Sequence, residues 1–176
     1  MAPPFLSVYA SPAPRLTPKL FLVYELSTDP AVVNFAGLLA PAVCDWLIEQ
    51  AKPRLEPTST HSVAKFPLID LSFVHLLLQA RMAVSCGVPI QNMEAPTVLL
   101  YRPGQELANQ DASVDLTFLV CLNDDYEGGE TDFPELGVRH RGTQGDGLYF
   151  VRTRHTGLPP VQGDKWIASQ TVRRSS

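Results

Sequence analysis

The stretch LTFLVCLNDDYEGGETDFP, residues 116–134, decides the fold of this chain. In an extended strand, Thr117, Leu119 and Cys121 share one face, and the other residues of 116–122 share the opposite face. Both faces are mostly apolar, which is typical of a central strand in a sandwich or barrel. Residues 123–129 are rich in Asn, Asp and Gly, which tolerate positive φ and predict a connection to a further strand.

Three more segments of the second half have the same character. They are short, β-branched or aromatic, and bounded by Gly, Pro or Asp, and they cover Thr97–Tyr101, Gly147–Val151 and Lys165–Val172. The 16 prolines of the chain also favour many short elements over long helices. These segments predict an antiparallel β core.

The first half of the chain predicts helices that support this core. One helix begins at Pro41 and ends before Pro53, and a second is capped by Asp70 and ends at Gly87. Short strands are predicted at 20–23 and 32–35. We therefore predict an α+β fold in a single domain, 1–176, with an extended arm and strand in 1–30, helical support in 31–95 and the β core in 96–176.

Composition narrows the classes of function. With 176 residues, 45% of them hydrophobic and 18% charged, the chain has the composition of one packed domain. Its net charge is −4 without a basic stripe, so no nucleic-acid partner is expected. No apolar run reaches the roughly 18 residues of a membrane span, and the N-terminus lacks the cationic start of a signal peptide. We expect a cytoplasmic protein without a membrane partner.

Several fragments, in this order and spacing, resemble the prolyl 4-hydroxylase-like branch of the iron(II)- and 2-oxoglutarate-dependent dioxygenases. The resemblance covers most of the chain, and the fragments that carry it are YRPGQE at 101–106, LVCLNDDYEGGETDFP at 119–134, GDGLYF at 145–150, His155, and GDKW at 163–166. It implies a double-stranded β-helix, a jelly-roll whose mouth holds the metal.

The resemblance also implies a chemistry. Two His and one carboxylate bind Fe(II) on one octahedral face, leaving positions for 2-oxoglutarate and oxygen. Decarboxylation of 2-oxoglutarate to succinate then drives oxidation of an unactivated C–H bond, with ascorbate as a reductant. By the same resemblance, His155 is the distal iron ligand, and Lys165 pairs with the far carboxylate of 2-oxoglutarate. Tyr101 and Thr117 match positions that donate hydroxyl groups to that cosubstrate.

The first metal-ligand motif departs from the family pattern. Counting from Tyr101, the expected His-x-Asp pair falls on Gln110 and Ala112, and neither is an ordinary iron ligand. Asp111 lies between them and reaches the metal only if the strand register slips or the loop is irregular. Gln110, at the first-ligand position, and Asp111, as the carboxylate, are therefore the candidate ligands beside His155.

The connections around the site are short by comparison with the family. Only residues 111–115 connect Gln110 to the strand that begins at Leu116. The connection from Val151 to His155 is only a few residues long, and the stretch 56–66 is shortened. Two readings stay open: the chain descends from an oxygenase and no longer does redox chemistry, or the printed sequence omits loop residues that hold the missing ligands.

Two functions follow from these observations. The first is an oxygenase that uses Fe(II) and 2-oxoglutarate to hydroxylate an aliphatic carbon of an amino acid, peptide or similar small substrate. The second is an iron-less descendant that acts as a binding module or a non-redox enzyme. Assembly as a homodimer is left open. Of the other histidines, His75 is expected on a helix surface and His140 on an exposed strand.

Overall fold

A computed structural model describes residues 15–16, 22–67, 71–110 and 116–172, apart from the side chains of 15–16 and 107–110. The helices are α1 (Pro41–Ala51) and α2 (Phe73–Cys86). The strands are β1 (Arg15–Leu16), β2 (Leu22–Thr28), β3 (Ala31–Ala36), β4 (Glu56–Pro57), β5 (Ser62–Lys65), β6 (Thr97–Tyr101), β7 (Leu107–Gln110), β8 (Leu116–Cys121), β9 (Glu127–Gly128), β10 (Thr131–Phe133), β11 (Val138–His140), β12 (Gly147–Val151), β13 (His155–Gly157), β14 (Pro160–Gln162) and β15 (Lys165–Val172). Within these described ranges, neither helix has the length and apolar character needed to cross a membrane.

The strands form one large sheet and two small ones. The large sheet has nine strands in the order β1-β2-β3-β12-β8-β15-β6-β5-β4, and the others have the orders β11-β10-β13-β7 and β14-β9. The predicted central position of β8 is confirmed, because it pairs antiparallel with β12 on one side and β15 on the other. The stretch 31–95, expected to be helical support, also contributes β3, β4 and β5 to this sheet.

The two faces of the large sheet have different neighbours. Phe118 and Val120 of β8 are fully buried in a core that also contains Leu47 of α1 and Met82 of α2, so this outer face packs against the helices. The inner face, with Leu148 and Phe150 of β12, packs against Phe133 of the four-stranded sheet. The expected α+β architecture is confirmed, and the structure adds that both helices pack on one face of the large sheet.

The second helix begins differently from the prediction. Its N-cap is Ser72, whereas Asp70, the predicted cap, lies outside the described residues. His75 completes a capping box, with its Nδ1 accepting the Ser72 backbone N–H at 3.3 Å. The predicted surface position of His75 is wrong, because its ring is buried between Phe66 and Trp46, at 4.3 and 5.5 Å between centroids.

The turn before β12 depends on a glycine. Gly145 has φ +91°, and a Cβ atom there would lie 2.2 Å from the carbonyl oxygen of Leu39. The same residue donates its N–H to Cys121 O at 2.8 Å and accepts the N–H of Leu39 at 3.0 Å. The loop before α1 is therefore fixed to the end of β8 through a backbone contact that leaves no room for a side chain.

We expect Gly145→Ala to lower the free energy of unfolding by about 3 kcal/mol, since it combines a backbone clash with an unfavourable φ. Gly137→Ala is the matched control, because Gly137 has φ +63° but open space where a Cβ atom would lie, and should cost about 1 kcal/mol. Urea unfolding followed by circular dichroism measures both losses. Equal losses would show that the Leu39 contact is unimportant.

Candidate functional site

The candidate site lies between the inner face of the large sheet and the four-stranded sheet. It has two ends. We call the surroundings of the Lys165 ammonium the lysine end, and the surroundings of the His155 ring the histidine end. Strand pairing positions both side chains. Lys165 is the first residue of β15 and lies opposite Tyr101, and His155 is the first residue of β13 and lies opposite Gln110.

The lysine end contains a buried cation without a carboxylate partner. Lys165 is only 5% exposed, and its Nζ donates a hydrogen bond to Gly129 O at 2.7 Å. No described carboxylate lies within ion-pair distance of this ammonium. Burial lowers the pKa of Lys165, and the negative potential of Cys121 and Glu130 opposes that shift. A buried lysine in this state is stabilised by any anion that reaches it.

Tyr101 lies against this cation. Its ring centroid is 5.6 Å from Lys165 Nζ, and the residue is 3% exposed. Burial raises the pKa of the Tyr101 phenol, so the hydroxyl stays protonated and able to donate a hydrogen bond. On its other side the ring stacks on His61, at 5.2 Å between centroids. The sequence prediction that Tyr101 and Lys165 come together agrees with this geometry.

A small cavity lies beside the ammonium. Its volume is about 10 Å³, which is room for about one water molecule. A larger ligand therefore enters this end only if the lining moves. Its polar lining, besides Lys165, consists of Cys121, Tyr126, Thr131, His140 and Arg141.

His140 also lines this cavity, although the sequence predicted an exposed position for it. The prediction of an exposed strand residue is wrong, because His140 is 5% exposed and its Nε2 lies 3.2 Å from Asn34 Oδ1. His140 is the last residue of β11, and its contact with Asn34 of β3 shows that it faces the large sheet. Burial lowers the pKa of His140 to about 4; Asp146 opposes this shift and Lys165 adds to it.

The low pKa of His140 predicts a loss of stability in acid. In the unfolded chain His140 is protonated below about pH 6.5, whereas in the folded protein it stays neutral down to about pH 4. The free energy of unfolding therefore falls as the pH drops through this window. Between pH 7 and pH 5 this residue should account for about 2 kcal/mol. His140→Gln, which can still donate to Asn34, should remove that share from the pH dependence of urea unfolding. An unchanged slope would contradict the assignment.

At the histidine end, an imidazole packs against two aromatic rings. The centroid of His155 lies 4.4 Å from that of Phe150 and 6.2 Å from that of Phe133. Its Nδ1 is 3.4 Å from Thr153 O, and an Nδ1–H directed at this carbonyl leaves the Nε2 lone pair for a metal. Burial lowers the pKa of His155, which keeps the ring neutral and fit for coordination at pH 7.

The strand register brings the expected first-ligand position to this imidazole. Gln110 lies directly opposite His155 in the β7–β13 pair, although the side chain of Gln110 is outside the described atoms. Asp111, the other candidate ligand, is outside the described residues altogether. Among the residues that are described, no three His, Cys, Asp or Glu side chains form a metal-binding group. Thr117 is half-buried opposite Phe150, and so belongs to the histidine end.

The two ends are separated by the same interval on two strands. On β10, Thr131 lines the lysine-end cavity, and Phe133, two residues later, contacts His155. On β12, Leu148 lines the same cavity, and Phe150, two residues later, contacts His155. Two residues of strand correspond to about 7 Å. A molecule that reached from the Lys165 ammonium to the His155 imidazole would therefore span about 7 Å.

Comparison with known proteins identifies relatives with the same architecture. No family model matches the chain. Prolyl 4-hydroxylase 1 of Arabidopsis thaliana is 26% identical over 208 aligned positions, which cover 86% of this chain and 71% of that protein. The viral collagen prolyl hydroxylase of Paramecium Bursaria Chlorella virus-1, solved as a 2OG complex, has a TM-score of 0.69 at 26% identity, covering 82% of this chain and 96% of the viral one. A prolyl-4-hydroxylase of Pseudomonas putida shares the fold, with a TM-score of 0.64 at 17% identity over 81% and 92% of the two chains.

The similarities in sequence and fold support one class of protein, the iron(II)- and 2-oxoglutarate-dependent oxygenases. Within that class the relatives support the prolyl 4-hydroxylase-like branch, since the similar proteins are named prolyl 4-hydroxylases. The aligned part of this chain, about 151 residues, fills only part of the 208 positions, so about 57 positions of the Arabidopsis relative have no counterpart here. This difference supports the expectation of shortened connections.

The described residues fit the two cofactors of this class unequally. For 2-oxoglutarate, a buried ammonium without a carboxylate partner and a protonated phenol are the donors that a carboxylate needs. For Fe(II), His155 is one suitable ligand, and the position opposite it is occupied by Gln110 in place of a second imidazole. The described residues thus fit the cosubstrate better than they fit the metal.

Proposed function

We propose that the chain binds 2-oxoglutarate between Lys165 and His155 and hydroxylates an aliphatic C–H bond of an amino acid, peptidyl or small-molecule substrate. The observation that carries this proposal is the buried Lys165 ammonium, which has no carboxylate partner among the described residues. A peptidyl prolyl residue is the substrate to test first, because the relatives are named prolyl hydroxylases. A cytoplasmic location remains a prediction.

Lys165 and Tyr101 would hold the far carboxylate of the cosubstrate. The ammonium supplies charge in a site of low dielectric, where an ion pair is strong, and the phenol supplies a directed hydrogen bond. Thr117, at the histidine end, would donate its hydroxyl to the other end of the molecule. The interval of about 7 Å between the two ends suits a five-carbon dicarboxylate.

Binding requires the lysine end to open. Its cavity has room for about one water molecule, and Lys165 Nζ is bonded to Gly129 O. A carboxylate that replaces this carbonyl exchanges a neutral acceptor for a charged one, which strengthens the hydrogen bond about twofold. Gly129 and Glu130 form the loop between β9 and β10, so displacement of the Gly129 carbonyl needs only a shift of this loop.

The metal would be held by His155 through Nε2, together with Gln110 and Asp111 as the candidate partners. When bound, Fe(II) supplies the oxidative chemistry of the class, and ascorbate is the proposed reductant that restores the ferrous state. Phe150 and Phe133 fix the orientation of the His155 ring and exclude water from one side of it. An amide ligand in place of imidazole predicts metal binding weaker than that of a complete triad.

A second candidate function is favoured by this incomplete ligand set. If Gln110 and Asp111 do not coordinate, the chain is an iron-less descendant that binds a dicarboxylate at the lysine end without oxidising it. Such a protein would still use Lys165 and Tyr101 as a carboxylate site. The two functions differ only in whether turnover follows binding.

The deciding experiment measures binding and turnover separately. Anaerobic calorimetry with 2-oxoglutarate, with and without Fe(II), gives the affinities, and a visible metal-to-ligand absorption band reports their joint binding. Succinate is then quantified after admission of oxygen, with a proline-rich peptide present. Succinate formation supports the hydroxylase. Tight binding of 2-oxoglutarate without a band or succinate supports the iron-less descendant, and no binding at all contradicts both.

A further inference from the structure

The inner face of α2 carries polar side chains beside apolar ones such as Leu78 and Met82. Its polar side chains point inward: Gln79 donates to Glu94 O at 3.1 Å and to Gln170 Oε1 at 3.3 Å, and Arg81 donates to Leu38 O. His75, as shown above, is buried in the capping box. A surface helix normally shows the opposite pattern, with its polar side chains in water.

The outward face of α2 is apolar along its length. Phe73 is 78% exposed, Leu76 47% and Val84 62%, and Ala80, also exposed, lies between them. We call these four residues the α2 stripe. They recur at helical spacing from residue 73 to residue 84, and these 11 steps correspond to about 16 Å along the helix axis. Apolar patches of this kind on a soluble protein mark interaction sites.

We propose that the α2 stripe is the contact surface of a reversible homodimer, in which the α2 helices of two copies pack antiparallel. The stripe has its large side chains at the N-terminal end, Phe73 and Leu76, and its small ones at the C-terminal end, Ala80 and Val84. An antiparallel two-fold arrangement sets Phe73 against Val84 of the second copy, and Leu76 against Ala80. The same surface is thereby its own complement.

Charge favours a second copy over other partners. All four residues of the stripe are uncharged, so two copies with a net charge of −4 each can meet there without bringing like charges together. An anionic lipid surface needs a basic rim, and the only basic side chain of α2 besides the buried His75 is Arg81, whose guanidinium is bonded to Leu38 O.

The area of the stripe sets the strength of the contact. From the exposed fractions and ordinary side-chain areas it amounts to about 400 Å² per copy. Two copies would bury about 800 Å², less than the roughly 1,200 Å² of a stable specific interface. The dimer should therefore be weak, with a Kd of roughly 10–100 µM.

Sedimentation equilibrium over a concentration range that spans this Kd tests the proposal with three variants. Phe73→Lys and Val84→Glu should each give a monomer, whereas Val161→Glu should dimerise like the wild type, because Val161 is 75% exposed on β14. Circular dichroism checks that each variant is folded. Wild-type protein that stays monomeric throughout, or dimers that survive both α2 substitutions, would overturn the proposal.

Mixing the two α2 variants tests the antiparallel geometry. In a mixed dimer the lysine introduced at position 73 of one copy meets the glutamate introduced at position 84 of the other, and the second contact is the native pair of Phe73 and Val84. The mixture should therefore recover a dimer that neither variant forms alone. Failure to recover it overturns the antiparallel arrangement. Cosedimentation of the wild type with phosphatidylcholine vesicles, lost in Phe73→Lys, would assign the stripe to a lipid surface and overturn the dimer.

Discussion

Lys165→Met is expected to weaken the binding of 2-oxoglutarate about a thousandfold while leaving the unliganded protein folded. The substitution keeps an unbranched side chain beside Tyr101 and removes the ammonium, with its charge and its hydrogen bond to Gly129 O. Removal of one partner from a buried ion pair costs about 3–5 kcal/mol, because the other charge is left without compensation. Anaerobic calorimetry on the two proteins measures the difference in Kd.

The stability of the unliganded variant separates a binding role from a structural one. Without a ligand, the ammonium is a buried cation whose pKa is already lowered by its surroundings. Its removal relieves this desolvation and leaves only Gly129 O without its donor, a loss of about 1 kcal/mol. We expect a melting temperature close to that of the wild type. We also expect 2-oxoglutarate to raise the melting temperature of the wild type and not that of Lys165→Met.

Lys52→Met is the matched control for this prediction. Lys52 is an exposed lysine that pairs with Glu49 on the helical side of the molecule. Its replacement should change neither the affinity for 2-oxoglutarate nor the melting temperature appreciably. If Lys165→Met binds 2-oxoglutarate as tightly as the Lys52→Met protein, the assignment of Lys165 as the carboxylate anchor is wrong.

The sequence was sufficient to predict β6, β8, β12 and β15, the strands of the large sheet that border the site, because their signals are local. It did not predict β10 and β13 of the four-stranded sheet, which are only three residues long each. The alternation in 116–122 indicated a strand apolar on both faces, and β8 is indeed central in the sheet. The same alternation sets Cys121 on the face of Thr117, and Cys121 lines the cavity beside Lys165. The pattern therefore contained enough information to add Cys121 to the lysine end.

The two misplaced histidines show where local reasoning fails. His75 was expected in water because no metal-ligand spacing surrounds it, but two tertiary contacts, with Phe66 and Trp46, bury its ring. His140 lies between two arginines in sequence, so its neighbours suggest exposure. Its burial follows from contacts with residues distant in the chain, above all Asn34 of β3. Burial of this kind cannot be inferred from adjacent residues.

The metal ligands at the histidine end could be predicted only in part, and the reason is physical. Whether a carboxylate reaches a metal depends on strand register at the level of a single residue, since a slip by one position reverses the face. The structure fixes one part of that register, because Gln110 is opposite His155. The position of Asp111 lies outside the described residues, so its role as a ligand remains a prediction.

This register leads to the second large expected effect: Gln110→His should raise the affinity for a divalent metal about a hundredfold. Directly opposite residues in an antiparallel pair have Cβ atoms about 5 Å apart, close enough for two imidazoles to share one ion. Structural metal sites with four ligands gain about 10–16 kcal/mol in total, so one added ligand contributes about 3 kcal/mol. Calorimetry with Co(II) measures the affinity without turnover, and the Co(II) absorption spectrum reports the ligands.

Two further variants connect this gain to His155 and to the register. Asn109→His places an imidazole one residue earlier on β7, on the opposite face of the strand, and should not raise the affinity for Co(II). In the double variant Gln110→His, His155→Ala the gain should disappear, because the added imidazole then lacks its cross-strand partner. If Asn109→His binds Co(II) more tightly than Gln110→His, the pairing of β7 with β13 is shifted by one residue. Asn109 and Asp111 would then share the face of His155, and Asp111 would become the carboxylate ligand that the class requires.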